Sequence, residues 1–153
     1  MTRMTARQIA VQLLFSMEAN SISAEDAFAL FFDEEHYSSL KEEDELYKDF
    51  PDEEQTDYIR RVVQCTEDHM NEIDSAISRY SNDWRINRLS KSTLAILRCA
   101  FCEILYMEDI PVAASINEAV ELGKRYDSPQ AGSFINGLLG SFLRAERPES
   151  GEE

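Results

Sequence analysis

The stretch "TLAILRCAFCEILYM" (93–107) constrains the fold more than any other part of the chain. At helical spacing, Leu94, Ile96, Leu97, Ala100, Phe101, Ile104 and Leu105 cover most sides of one helix. A helix apolar nearly all round has to be enclosed by others, which predicts a bundle with this segment at its centre. Candidate neighbours follow. Over 4–18, Ala6, Ala10, Leu13, Leu14 and Met17 recur at three- and four-residue steps. "SAEDAFALFF" (23–32) opens with Ser23 as an N-cap and Asp26 three residues on. Pro51 suits the first turn of one long helix running to about Tyr80. A helix from near Pro111 carries Val112, Ile116, Ala119, Val120 and Gly123 on one face. The last carries Phe134, Ile135, Leu138, Leu139, Phe142 and Leu143.

No segment alternates in the manner of a strand, so the expected fold class is all-α, a bundle of about seven helices. The polar connection "SNDWRINRLSKS" (81–92) divides it into sub-bundles of about 1–80 and 81–147, within a single domain over 1–147. Residues 33–57 hold twelve acids against two lysines and read as a solvated acidic insertion with weak helix. Residues 148–153 read as a disordered tail.

The formal net charge is −15, which argues against binding nucleic acid through general surface charge. The distribution of charge is more informative than its sum. Residues 1–17 contain Arg3 and Arg7 and no acid, and residues 85–102 contain Arg85, Arg88, Lys91 and Arg98 and no acid. Lys124 and Arg125 end the penultimate helix. These charges suit solvated helix ends, or else they converge into one basic patch on an acidic body. On a wheel of the first helix Phe15 falls off the core stripe, with Val11 between it and Arg7. That is the composition of a contact or base-stacking surface, unless Phe15 packs on a following helix.

Little in the sequence favours catalysis. Cys65-x3-His69 with Cys99-x2-Cys102 offers four zinc ligands, but Cys99 and Cys102 lie inside an apolar helix without a glycine-bearing knuckle, where cysteine serves as a small buried hydrophobe. No metal or cofactor is expected. His36 and His69 have no nucleophile in context, and the five glycines form no phosphate loop. Paired carboxylates such as Asp33–Glu35 and Glu42–Glu45 sit in the acidic run, where solvation accounts for them. No apolar run is long enough to span a membrane, and three cysteines without a disulfide-rich layout suit a reducing cytoplasm.

"DWRINRLSKSTLAILRCAFCEIL", "IPVAASINEAVELGKRY" and "FINGLLG", with "ARQIAVQLLF" near the start, resemble the NusB family of transcription antitermination factors. The resemblance spans nearly the whole chain, least in 33–57. It implies two three-helix sub-bundles and a bacterial, non-enzymatic factor that binds single-stranded boxA RNA jointly with NusE, a small-subunit ribosomal protein. The pair would join the RNA polymerase antitermination complex during ribosomal RNA synthesis.

Residue by residue, the resemblance places Arg3 and Arg7 in an arginine-rich RNA-binding segment, thinned here to two arginines by Thr2, Met4 and Thr5. It predicts that Arg7→Glu weakens RNA binding without unfolding the chain. Phe134 is the candidate for contact near RNA, and Lys124 is counted with Arg3, Arg7 and Phe134 as RNA-binding; Ser133 replaces a base that often precedes this Phe. Val11 and Phe15 fall on the NusE-facing surface. Thr93 stands where many members carry an acid, so it either offers NusE an uncharged hydrogen bond or caps its helix, whereas Arg98 is kept. Asn117 and Glu118 are read as structural. The alternative is a module that binds NusE or self-associates as a homodimer, with little RNA affinity of its own.

Overall fold

The computed structural model describes residues 1–33, 37–40, 51–81 and 86–146, with the Asn87 side chain excepted. The acidic insertion therefore lies largely, and the tail 148–153 wholly, outside the described residues, as do His36, Trp84 and Arg85.

Seven helices of eight residues or more order the described chain: α1 (Arg3–Asn20), α2 (Ala24–Phe31), α3 (Glu53–Asp68), α4 (Met70–Tyr80), α5 (Lys91–Tyr106), α6 (Val112–Tyr126) and α7 (Pro129–Glu146). A helical turn at 37–40 and a 3₁₀ turn at Ile86–Arg88 complete them, and no strand occurs among the described residues. The all-α expectation holds.

The helix ends follow local chemistry. Thr2, Ser23, Asp52 and Ser90 each accept a backbone N–H three residues on, satisfying an otherwise unpaired donor of the first turn. Ser23 caps as its sequence position predicts. Thr93 does not: Ser90 is the cap of α5, and Thr93 supplies the N–H that it accepts. α1 ends at Ser21, which takes the left-handed conformation (φ 53°) and donates its N–H to the Met17 carbonyl.

The long helix expected from Pro51 to Tyr80 is two. His69, at φ −119° and ψ 24°, ends α3 and starts α4. The break redirects the chain: α3 packs on α1, α2 and α5, whereas α4 packs on α5 and α7. The His69 ring stacks on Tyr106 at 4.0 Å, which covers the corner.

α5 is the central helix. It packs against α1, α3, α4, α6 and α7, and every residue from Thr93 to Ile104 is buried. α6 and α7 approach closely where Gly123 faces Gly132. A Cβ on Gly123 would stand 2.6 Å from Ile135 Cδ1 and 3.3 Å from the Gly132 backbone. The absence of a side chain on Gly123 thus permits the close approach of α6 and α7. No helix among the described residues is long and apolar enough to cross a membrane.

Candidate RNA and partner interface

The first helix turns out to be organised around a carboxylate that lies elsewhere in the chain. Glu103, fully enclosed on α5, accepts Arg7 Nε at 2.7 Å and Arg7 Nη2 at 2.9 Å. It also accepts Tyr58 Oη at 2.5 Å from α3 and Ser115 Oγ at 2.8 Å from α6. Four helices therefore meet on one side chain. Burial by itself would pull the Arg7 guanidinium down, but the bond to Glu103 and the Tyr58, Glu103 and Cys99 charges together more than offset this and hold it charged. Burial raises the Tyr58 hydroxyl, and the Cys99 and Glu103 charges raise it further, so it stays a donor.

Arg7 is only 5% exposed, which corrects the surface role expected of it. Its guanidinium is taken by Glu103, with Glu118 at 4.0 Å on the outer side, so Arg7→Glu would set two carboxylates together in the core. That variant cannot test RNA binding in a folded chain.

Arg98 is likewise inward. It binds Asp74 through Nε and Nη2 at 3.0 and 2.8 Å and reaches Glu18 at 3.4 Å, tying α5 to α4 and to the end of α1. At 6% exposure it offers a partner little surface. Arg3 is part-exposed but committed toward α3: it donates to Gln55 at 2.8 Å and lies over the Tyr58 ring at 4.3 Å. Lys124 stays exposed, paired with Glu121 at 3.4 Å. Arg3, Arg7 and Lys124 therefore do not form one basic patch.

What the structure does assemble is a run of grooves along α1 and α6. Met4 and Gln8 face Lys124 and Arg125 across the first. Val11, Gln12, Phe15, Ser92 and Tyr126 line the second, of about 320 Å³. Val11 forms part of its wall at 4% exposure and Phe15 stands 39% exposed, so the two expected partner residues do come together. The third groove is lined by Thr93 and Asp127, the residues that follow Ser92 and Tyr126 in the chain, and by Arg88, Gln130 and Phe134. Phe134 is half-buried there. Arg88 is exposed and has no ion pair among the described residues.

Thr93 is buried beneath this groove, and its hydroxyl donates to Asp127 at 2.7 Å. The Ser90 and Thr93 hydroxyls hold the Asp127 carboxyl below its usual range.

Sequence reasoning missed Glu103, Tyr58, Ser115, Tyr126 and Asp127 as members of these two centres, whereas Arg88 was among the cations it singled out. One signal was available: Glu103 is the only acid between Ser90 and Met107 in an otherwise apolar helix. The cysteine set comes together only in part. Cys65 lies against Cys102, which also meets Thr66 and the Val62 carbonyl, while Cys99 turns away to Tyr58 and Glu103. No metal-holding group of three His, Cys, Asp or Glu occurs among the described residues.

The NusB family model matches residues 4–144. The transcription antitermination protein NusB of Alkaliphilus oremlandii is 37% identical over 146 residues, 95% of this chain and 96% of that one. That of Thermoanaerobacter sp. is 39% identical over 152 residues, covering 99% and 97%. Among solved structures, T. maritima NusB superposes with a TM-score of 0.74 at 31% identity, covering 100% and 99% of the two chains. A chain from the crystal structure of antitermination factors NusB and NusE in complex with dsRNA superposes at 0.75 over 94% and 96%; at 24% identity that likeness concerns the fold.

Proposed function

The chain belongs to the NusB family, and on that footing we propose that it is a transcription antitermination factor holding boxA-type single-stranded RNA jointly with NusE. One observation carries this reading: two grooves of different chemistry are lined by consecutive residues, Ser92 and Tyr126 in one and Thr93 and Asp127 in the other. The Val11–Phe15 groove is apolar with an exposed aromatic, the composition of a protein contact. The Phe134 groove couples an aromatic to an unpaired arginine, the composition of a single-strand site. A strand of RNA lying in the Phe134 groove would run beside a protein seated in the Val11–Phe15 groove.

The inward turn of Arg7 bears on how RNA is held. Arg88, Lys124 and Arg125 remain as outward cations lining the grooves, on a body of net charge −15. Joint binding with a basic partner then supplies the phosphate contacts that this chain lacks. The same observation supports the second reading, a module that binds NusE or self-associates and has little RNA affinity of its own. No catalysis is proposed, since Glu103, Tyr58 and Cys99 are enclosed and mutually bonded. The proposed compartment is the cytoplasm, beside RNA polymerase.

Sedimentation of the chain mixed with NusE and boxA RNA tests the proposal. A 1:1:1 complex is expected, with RNA affinity that falls on raising salt and is much weaker without NusE. A stable pair with NusE that takes up no RNA leaves the second reading. Failure to bind either component overturns both.

A further inference from the structure

The third groove contains a carboxylate with an acceptor to spare. Asp127 Oδ2 receives both hydroxyls, Ser90 Oγ at 2.5 Å and Thr93 Oγ1 at 2.7 Å. Two donors fill that oxygen and fix the plane of the group. Oδ1 receives no bond from any described residue, and no cation pairs with Asp127 among them. The side chain is exposed and shares its groove with Phe134 and Arg88. Thr93 is buried and α5 is anchored in the core, so the carboxylate rests on a rigid support.

We infer that Asp127 is a base-selecting residue, which reads a guanine stacked beside Phe134 through its free oxygen. The inference rests on the proposed RNA-binding reading and adds the base. An ionised carboxylate only accepts, so it rewards an edge rich in N–H donors and repels one rich in acceptors. Guanine presents two adjacent donors, N1–H and N2–H, and both can converge on Oδ1. Cytosine and adenine offer one amino group beside an unprotonated ring nitrogen, which the carboxylate repels. Uracil offers one N–H between two carbonyls. The single strand leaves these edges open, and Phe134 supplies apolar surface for the ring. Arg88 offsets the carboxylate where the backbone phosphates pass.

The test is fluorescence anisotropy on uridine 12-mers carrying one central guanosine, inosine, cytidine or adenosine, or none. It is run with the full chain alone and with NusE added. The guanosine strand is expected to bind about fivefold or more tighter than the all-uridine strand, with inosine, which lacks the amino group, between them. Asp127→Asn presents an amide donor in place of Oδ1, so guanine preference is lost and shifts toward uridine. Thr93→Val keeps the charge but frees the carboxylate, so the preference shrinks while affinity for the all-uridine strand stays. A merely structural Asp127 would weaken all five strands alike. Equal affinity for all five, or a guanine preference that survives Asp127→Asn, overturns the assignment and leaves RNA binding intact. No binding of any strand, with or without NusE, overturns the assignment together with the function on which it rests.

Discussion

Two carboxylates sit at helix junctions and collect hydroxyl donors, yet they have opposite surroundings. Glu103 is fully enclosed and receives an arginine, a tyrosine and a serine from three other helices. Asp127 is open, receives two hydroxyls on one oxygen and keeps the other for solvent or ligand. The difference separates structure from recognition. A buried ion needs every lone pair met or it destabilises the fold, whereas an exposed one can keep a vacancy at small cost. Hydrogen-bonding capacity left over at a surface, more than charge itself, marks where a ligand fits.

The sharpest way to break this contrast is to remove one half of the enclosed pair. Arg7→Ala strands Glu103 in the core and is expected to cost about 3–5 kcal/mol, lowering Tm by roughly 10 °C in thermal unfolding. A Tm within 2–3 °C of wild type would mean that water reaches Glu103. Next in size is Phe15→Ala on the open face, where loss falls on binding. Affinity for NusE is expected to drop by about 2 kcal/mol in calorimetry, with Tm nearly unchanged. Tyr58→Phe then removes a single donor from Glu103 while keeping the ring under Arg3. The expected loss is about 1.5–2 kcal/mol in urea unfolding, less than for Arg7→Ala because the cation stays.

The smallest effect lies at Asp127 and appears only against pH. Its folded pKa is lowered by the Ser90 and Thr93 hydroxyls, so its contribution is present above the unfolded value of about 4. It fades as pH falls through the lower folded value. Tm of wild type is therefore expected to fall slightly faster than that of Asp127→Asn below about pH 4. The exposure of the group keeps the difference small.

Much of the bundle was legible because helical spacing of apolar residues reports burial directly. The enclosed α5 and the α1 stripe follow from that spacing, and Phe15 was found by falling off it. The α3–α4 corner was not legible, since His69 is neither glycine nor proline and the turn is imposed by packing on different neighbours. Arg7 was misread because an arginine near a helix start is exposed by default, and its partner lies 96 residues away. The lone acid in the α5 run pointed to that partner but carried no address. Asp127 looked like any polar residue between helices; only the meeting of α5 with the α6–α7 turn brings Ser90 and Thr93 to it.

The 96-residue span between Arg7 and Glu103 also sets an order of events during synthesis. α1 leaves the ribosome well before α5, and the acid that makes its buried cation tolerable follows 96 residues later. Until α5 is made, α1 can pack only on α2 and α3, and the Arg7 guanidinium that faces the core has no acid to meet it. The amino-terminal half therefore waits, and nascent chains cut before residue 103 should remain protease-sensitive, whereas chains carrying α5 and α6 close around Glu103 in one cooperative step.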